Sequence, residues 1–382
     1  MKKNYFISYK DSGNIRTYCL FNILPIFKKN MGIVVKNNTF IVWEPCSQSH
    51  AEVVPGYVKY LTDLGYHVSV VMNPKRYKEG LFERFSDEDI TLNILSRRKA
   101  KNLFKKSDLK NVQGLLVTTS GKICDCIHYE QCYEHFAPNV DKSKLFIVEH
   151  DVKLSVDNNC WDESVITLRK LNYKGASSVV VNPQYFGRVN VTSKNKDVTN
   201  FITIGALNPK RRNSSLIINA AAELYKKGYK NFKITVVGKG HLKDIPSELH
   251  TFFDIKGRLP FNKMYDELEK ADFLLTAYEE NDSAHQRYNT TGTSGAFQLM
   301  YGFKKPAVIL ESFAPINGLN NENSVLYENT EEYSQSMERC INISSDEYEK
   351  MQNNLMLYAE DLYNSSRENL KALIVAKKKE NN

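Results

Sequence analysis

The sequence lacks the features of a membrane-spanning, disulfide-linked or disordered protein. No apolar run reaches 18 residues, and the apolar stretch at residues 20–27 is short and interrupted by Pro25, which excludes a transmembrane helix or signal peptide there. The 7 cysteines among 382 residues suggest no regular disulfide framework. With 22 tyrosines the chain is too aromatic to be disordered. We expect a cytoplasmic protein, soluble or peripheral on the inner face of a membrane.

Positive charge is concentrated in the N-terminal half of the chain. Residues 1–195 contain 28 Lys and Arg against 19 Asp and Glu, whereas the remainder has 24 against 25. The densest basic stretch, Arg97–Lys106, surrounds Leu103 and Phe104 and could lie on an anionic lipid surface. A solvated basic face is the alternative. No nucleic-acid-binding motif accompanies the charge, so we expect no nucleic-acid partner.

Two groups of residues resemble metal sites only superficially. Cys124, Cys126, His128 and Cys132 have a spacing that matches no zinc motif, and we interpret them as ordinary residues of a helix. The acidic triplet at residues 87–89 lies in a charged turn without the apolar strand that a metal-binding D-x-D motif requires. We therefore predict no metal site.

The N-terminal half has the alternating pattern of a parallel α/β domain. Apolar strands are predicted at Thr39–Trp43, His67–Met72 and residues 90–94, 114–118 and 144–148, with a helix at residues 51–64. Residues 1–38 predict only a helical or extended lead-in. Functional side chains collect at the carboxyl ends of parallel strands. His50, which follows the first strand, and His150 and Asp151, which follow the strand at residues 144–148, are therefore candidate catalytic residues.

The C-terminal half opens with a strand, a glycine and a basic loop. The strand at residues 201–204 ends on Gly205, and the loop carries three basic residues ahead of a helix at residues 214–227: Lys210, Arg211 and Arg212. The next strand, Phe232–Val237, ends on Gly238. Further on, a small hydroxyl-rich turn precedes an apolar helix and contains Thr293, Ser294 and Gly295. Paired basic side chains and free backbone N–H groups at a helix start both suit a diphosphate.

These segments carry a resemblance to a known family. The order "ITIGALNPKRRNSSLIINAAAELYKKGYKNFKITVVGKG", then "FFDIKGRLPFNKMYDELEKADFLLTAYEEN", then "TSGAFQLMYGFKKPAVI" resembles the donor-binding half of GT-B glycosyltransferases, nearest to the family 4 type. The match is close over residues 201–309 and loose in the N-terminal half. It implies two doubly wound Rossmann-like α/β domains facing each other across a cleft. We expect an acceptor domain at residues 1–190, a nucleotide-sugar domain at 191–355 and a final helix at 356–382 that returns to the first domain.

The resemblance also implies roles for further residues. Leu259 and Pro260 would lie at the nucleotide base. Four residues would be near the sugar: Glu279, Glu280, His285 and Tyr288. The chain departs from the family in having Ala206 where an arginine is usual. It also lacks the second glutamate of the E-x7-E element, and the turn around Ser294 stands in its place. The family favours retention of configuration at the sugar, but the missing glutamate leaves the stereochemistry open.

The activity implied is transfer of a sugar from a nucleoside-diphosphate donor, with a UDP-sugar expected, to a hydroxyl of a saccharide or lipid-linked acceptor. Cell-surface polysaccharide synthesis is the expected setting. Neither a metal nor another cofactor is expected, because basic side chains and N–H groups can stabilise the departing diphosphate. Two alternatives remain: a sugar-nucleotide epimerase of the same fold, and a GT-B binding subunit that has lost catalysis.

Overall fold

The computed structural model describes most of the chain. The described residues are 7–12, 15–45, 50–85, 89–106, 109, 111–119, 141–159, 161–171, 173–206, 212–240 and 245–379. The cysteine group at residues 124–132, two members of the acidic triplet, and the predicted donor-binding residues Lys210 and Arg211 lie outside them. All structural statements below concern the described residues.

The chain begins with a small antiparallel sheet that the sequence predicts only as a helical or extended lead-in. Its three strands are paired in the order β1-β2-β3, and they are β1 (Ile7–Ser12), β2 (Ile15–Leu20) and β3 (Leu24–Asn30). Only Cys19 is buried within it. Within the described part of the chain neither face of this sheet belongs to an apolar core cluster. The strands therefore show no clear alternation of apolar and polar residues, which explains why the sequence did not reveal them.

A seven-stranded parallel sheet follows, in the order β10-β9-β8-β7-β4-β5-β6. Its strands are β4 (Thr39–Trp43), β5 (His67–Met72), β6 (Ile90–Ile94), β7 (Gly114–Val117), β8 (Leu145–Glu149), β9 (Ile166–Thr167) and β10 (Val179–Val180). The predicted strands are confirmed here. Every residue of β4 and β5 is buried, as expected for a parallel sheet covered on both faces.

Helices cover both faces of this sheet. They are α1 (Val54–Asp63), α2 (Pro74–Tyr77), α3 (Arg97–Lys106) and α4 (Lys153–Asp157). On one face, Phe40 and Val42 of β4 share an apolar cluster with Tyr57 and Leu61 of α1. On the other face, Trp43 packs against Phe104 of α3, with 4.8 Å between the ring centroids.

The second parallel sheet has six strands in the order β13-β12-β11-β14-β15-β16. The strands are β11 (Thr199–Ile204), β12 (Phe232–Val237), β13 (Phe253–Gly257), β14 (Phe273–Leu275), β15 (Ala307–Leu310) and β16 (Val325–Tyr327). The first strand of this sheet lies between the second and the fourth. That arrangement creates a topological switch point at the carboxyl end of β11.

Six helices accompany this sheet. They are α5 (Ser214–Lys226), α6 (Phe261–Lys270), α7 (Ser283–Gln286), α8 (Gly295–Phe303), α9 (Tyr333–Asn342) and α10 (Ser345–Lys379). Near its end α10 reaches the first parallel sheet, where Leu370, Leu373 and Ile374 join the cluster of Phe40 and Tyr57. No helix among the described residues has both the length and the apolarity needed to cross a membrane.

The two parallel sheets are held together by buried and charged contacts. Arg84 forms ion pairs with Glu269 and with Asp266, the latter at 2.9 Å. Close to the carboxyl edges, Asp151 and Gly292 form an isolated antiparallel bridge, with Val152 donating to the carbonyl of Thr291 at 3.0 Å. These contacts bring the carboxyl ends of β4, β8 and β11 around one cleft.

Candidate functional site

One cavity, here called the cleft cavity, lies between the two parallel sheets and is lined by both halves of the chain. This cleft cavity has a volume of about 340 Å³. Its lining includes nine predicted or newly recognised polar and glycine positions: His50, Glu52, His150, Gly205, Arg212, Tyr288, Thr293, Ser294 and Gly295. The structure therefore brings together most of the catalytic and diphosphate candidates that it describes.

His50 and His150 meet although 100 positions separate them. Their ring centroids are 4.5 Å apart. His50 has a left-handed backbone, with φ of 71°, immediately before the 3₁₀ turn Ala51–Val53 that leads into α1. His150 follows β8 directly. The segments that follow two parallel strands thus place both imidazoles on the lining of the cleft cavity.

The hydrogen bond of His150 identifies its tautomer. Nε2 lies 2.8 Å from the carbonyl oxygen of Thr118. A carbonyl can only accept, so Nε2 donates and the neutral ring keeps a lone pair on Nδ1. Burial, followed by the proximity of His50, lowers the pKa of His150 to about 3. The ring is therefore an uncharged acceptor at neutral pH.

Glu52 is an acidic residue of the cleft that sequence reasoning missed. It lines the cleft cavity from the N-terminal side and lies against Gly295, where a β-carbon would be 2.9 Å from Oε1. Burial raises the pKa of the Glu52 carboxyl group, and its own backbone N–H, His150 and Arg76 act in the opposite direction. A glutamate two residues after His50, at the start of a predicted helix, was the only available signal.

Arg212 lies on the C-terminal side of the cleft cavity. Only 5% of its surface is exposed, and Nη1 donates to Thr203 Oγ1 at 2.8 Å. Burial lowers the pKa of the guanidinium, and no carboxylate lies within ion-pair distance of it in the described part of the chain. A buried cation without a counter-ion is costly, which favours an anionic ligand beside it.

The turn at residues 293–295 starts helix α8. Ser294 is the N-cap residue, and its hydroxyl accepts from the N–H of Ala296 at 3.4 Å. The N–H of Thr293 donates across the domain boundary to the carbonyl of His150 at 3.1 Å. The buried Thr293 hydroxyl has no hydrogen-bond partner among the described residues. The turn thus presents a hydroxyl group and a helix start to the cleft, which suits an anion.

A second cavity of about 500 Å³, here called the adjoining cavity, shares Glu52 and Gly205 with the first. Gly238 and Leu259 line it, whereas Pro260, the N-cap residue of α6, does not and is exposed. Gly205 has φ of 124°, and a β-carbon on Gly238 would be 1.7 Å from the Gly205 carbonyl oxygen. Both glycines are therefore needed where the ends of β11 and β12 approach each other.

Other candidates lie away from the cleft cavity. The carboxylate of Asp151 contacts Arg287 at 3.4 Å and accepts from the N–H of Lys153. Glu279 hydrogen-bonds Asn213, and with Glu280 it lines a separate pocket beside α5. His285 is fully buried, and its Nδ1 accepts from the N–H of Glu279 at 3.1 Å. Of the four predicted sugar contacts, only Tyr288 lines the cleft.

Arg169 is a second residue without a sequence signal. It is 6% exposed and comes from the irregular segment between β9 and β10. Its guanidinium donates to the carbonyl of Gly292 at 2.7 Å and to that of Tyr288 at 3.2 Å. Burial lowers its pKa to about 10. Arg169 thereby fixes the loop that precedes the Thr293 turn from the opposite domain.

One group of described residues has the spacing of metal ligands. Candidate ligand atoms of Glu279, Asp282 and His285 lie within 4.8 Å of one another. The Nδ1 atom of His285 already accepts a hydrogen bond from the backbone N–H of Glu279. This group lies outside the cleft cavity and has no evident connection to it.

Comparison with known proteins gives structural but no sequence relatives. No protein-family model matches the sequence, and no curated protein is significantly similar to it. The solved structure of WaaB, a lipopolysaccharide outer core galactosyltransferase in its apo form, aligns over 89% of this chain and 99% of that chain, with 12% identity and a TM-score of 0.51. WaaG, a glycosyltransferase involved in lipopolysaccharide biosynthesis, aligns over 88% and 98%, with 13% identity and a TM-score of 0.48.

TarM aligns over 70% of this chain, with 14% identity and a TM-score of 0.44. The chain covers only 55% of TarM. Two parallel doubly wound sheets with facing carboxyl edges, and a likeness that spans nearly the whole of WaaB, show that this chain has the GT-B fold.

Proposed function

We propose that this protein is a glycosyltransferase that moves a sugar from a nucleoside-diphosphate donor to a hydroxyl group of a saccharide or lipid-linked acceptor. The observation that carries the proposal is Arg212, a buried guanidinium on the cleft cavity with no carboxylate partner among the described residues. A nucleoside diphosphate supplies the missing negative charge and fits a cleft between two Rossmann-like domains. WaaB, whose fold this chain shares, is a galactosyltransferase, which supports sugar transfer as the reaction.

Several neighbours of Arg212 would bind the same diphosphate. The Thr293 hydroxyl and the start of α8 face the cavity, and Gly205 lets the backbone approach closely. Lys210 and Arg211 precede Arg212 directly in the sequence and stay proposed as further diphosphate contacts. The nucleotide base would lie in the adjoining cavity, next to Leu259 and Gly238.

The reaction breaks the bond between the anomeric carbon and the diphosphate oxygen, and the bonding electrons leave with the diphosphate. Arg212 and the donors of the Thr293 turn stabilise the charge that develops. The acceptor oxygen bonds to the anomeric carbon and loses its proton. With retention, which we propose from the family resemblance, that proton goes to the departing diphosphate. With inversion it would go to His150 Nδ1, whose lone pair is fixed by the Thr118 hydrogen bond.

We propose that the acceptor binds to the N-terminal half of the chain, near His50 in the segment that follows β4. The setting proposed is synthesis of a cell-surface polysaccharide on the inner face of a membrane, with a UDP-sugar as donor. Arg97, Arg98 and Lys99 of α3 are exposed and offer a basic surface to anionic lipid.

Nucleotide binding tests the proposal directly. A thermal-shift titration with UDP, GDP, CDP and ADP should raise the melting temperature with one nucleotide in a concentration-dependent way. Arg212→Met should weaken that binding about ten- to a hundred-fold, as expected for the loss of a charge-assisted hydrogen bond. The matched control is Arg188→Met, because Arg188 is exposed and lines neither cavity.

Product analysis then separates the reaction classes. Incubation with the preferred nucleotide sugar alone should give slow hydrolysis, and addition of an acceptor should give a glycosylated product. A new sugar nucleotide formed without acceptor would show an epimerase. Binding without any turnover would show a binding subunit. No binding of any nucleotide would overturn the proposal.

A further inference from the structure

The small antiparallel sheet at the start of the chain carries an unusual surface. More than half of the large apolar side chains that are exposed in the described residues lie between Ile7 and Val35. The most exposed are consecutive or nearly so: Phe21 at 60%, Ile23 at 83% and Leu24 at 62%. We call residues 21–24 the hairpin tip. Exposed apolar surface this concentrated marks an interaction site.

The backbone of the hairpin tip is strained in a way that favours this display. Leu20 pairs with Leu24, and the N–H of Ile23 donates to the carbonyl of Leu20 at 3.1 Å. Phe21 and Asn22 both have left-handed backbones, with φ of 52° and 66°. Such turns normally use Asn or Gly, and a bulky residue there is unfavourable. The turn therefore holds the exposed Phe21 at the end of the hairpin.

Strand β3 is open on both faces. Ile26 lies at a bulge in the pairing with β2, but alternation is regular on either side of it. Successive residues of a regular strand point to opposite faces, and Leu24 and Pro25 are both exposed, as are Phe27 and Lys28. A folded protein partner would cover one face or one edge of such a strand. A lipid phase surrounds an inserted hairpin on every side, so this arrangement favours lipid.

The charge of the segment is complementary to an anionic surface. Residues 1–38 contain seven basic residues and one acidic residue, Asp11. Lys28 and Lys29 are exposed on β3, and they lie four and five residues beyond Leu24, roughly 13–17 Å along an extended strand. Lysine is depleted from protein–protein interfaces but is favoured beside the headgroups of anionic lipids.

We propose that the hairpin tip inserts into the interfacial layer of an anionic membrane, with Lys28 and Lys29 at the level of the lipid phosphates. Immediately after β3, Ile33 packs against the apolar cluster that contains Ala100 and Phe104 of α3. Helix α3, whose residues Arg97, Arg98 and Lys99 are exposed, therefore lies on the same side of the seven-stranded sheet as Ile33. This assignment is independent of the proposed transferase activity.

Vesicle co-sedimentation tests the assignment. The full chain should bind vesicles of phosphatidylcholine and phosphatidylglycerol, and bind vesicles of phosphatidylcholine alone far more weakly. Ile23→Asp should reduce binding about tenfold or more, because it removes apolar insertion. The matched control is Leu357→Asp on α10, where the exposed fraction is 63% and the effect should be negligible. Lys28→Glu should lower binding about fivefold and only at low salt.

An Ile23→Trp variant gives a second, direct readout. Its fluorescence should shift to the blue when anionic vesicles are added, while a Leu357→Trp variant should not respond. Melting curves and UDP binding should be the same for Ile23→Asp as for wild type, so loss of vesicle binding is separable from misfolding and from failure of the proposed activity. Equal binding by Ile23→Asp and wild type would overturn the assignment. So would a change in oligomeric state on Ile23→Asp without any vesicle binding by the wild type.

Discussion

Glu52 of the N-terminal half lies directly against Gly295, the first residue of helix α8 in the C-terminal half. A β-carbon at position 295 would be 2.9 Å from the Glu52 Oε1 atom. In the structure a carboxyl group therefore occupies the helix start that we propose for the diphosphate. A bound donor must therefore either lie beside a protonated Glu52 or displace the Glu52 side chain from this position.

Glu52→Gln should therefore bind nucleotide more tightly than wild type. Burial raises the pKa of this carboxyl, so it loses its proton at a higher pH than an exposed glutamate does. Above that pKa its negative charge repels the diphosphate, and below it the repulsion disappears. Wild-type affinity for UDP should fall as pH rises, and the variant should lose this dependence. The groups that face the carboxyl, His50, His150 and Arg76, are unchanged in both proteins.

Isothermal titration calorimetry at several pH values measures the affinity for UDP. At the highest pH we expect Glu52→Gln to bind UDP about three- to tenfold more tightly than wild type. Glu248→Gln is the control, since Glu248 is exposed and lines neither cavity. An affinity that is unchanged or weaker in Glu52→Gln at every pH would show that the carboxyl is not at the diphosphate position.

His150 should make the stability of the protein depend on pH with a predictable sign. Burial lowers its pKa to about 3, whereas an unfolded histidine titrates near 6.5. As the pH falls below about 6.5, the unfolded chain takes up the proton first, so the contribution to stability is full above that pH and is lost progressively towards pH 3. Relative to His150→Asn, the free energy of unfolding of wild type should fall by about 2 kcal/mol between pH 7 and pH 5.

Urea denaturation at several pH values measures this difference. His250→Asn removes an exposed histidine of the C-terminal half and serves as the control. If the stability difference between wild type and His150→Asn stayed constant with pH, His150 would not be held neutral in the folded protein.

The sequence predicted the parallel strands because their burial leaves a local signature. Strand β12 coincides with the predicted Phe232–Val237, where apolar residues predominate between a turn and a glycine. The positions of His50 and His150 after strands also marked both as candidate catalytic residues, because functional side chains collect at the carboxyl ends of parallel strands. Both inferences use only the local pattern and the rules of sheet topology.

Side-chain direction and distant contacts could not be predicted in the same way. Glu279 follows β14, yet Ala277 has a left-handed backbone with φ of 51°, and the chain turns so that Glu279 contacts Asn213 instead of the cleft cavity. Arg169 binds carbonyl groups more than one hundred positions away. Nothing in the neighbourhood of either residue encodes those contacts.

Arg169 should be important for the stability of the interface between the two halves. Arg169→Ala leaves the carbonyls of Gly292 and Tyr288 without their buried donors, so we expect a loss of about 3 kcal/mol in the free energy of unfolding. Arg258→Ala also removes an arginine that joins the two halves, but its ion pair with Glu79 is solvent-accessible and should contribute less than about 1 kcal/mol. Urea denaturation compares the two, and equal losses would contradict the role given to Arg169.

Gly238→Ala should disturb the turn that holds the ends of β11 and β12 together. The new β-carbon would be 1.7 Å from the carbonyl oxygen of Gly205, a backbone atom that cannot simply rotate away. Relieving the clash must separate the strand ends and weaken the hydrogen bond from the Gly205 N–H to Val237, which is 2.9 Å long. We expect a loss of about 2–3 kcal/mol in stability and a large fall in UDP affinity.

Gly292→Ala is the matched comparison for Gly238→Ala, because its β-carbon would meet nothing closer than 3.4 Å, at Arg287 and Asp151. It should change the free energy of unfolding by less than about 1 kcal/mol. Chemical denaturation and calorimetric titration with UDP should therefore separate the two variants in both stability and binding. If Gly238→Ala kept wild-type stability and nucleotide affinity, the close approach of the two glycine turns would not be a requirement of the donor site.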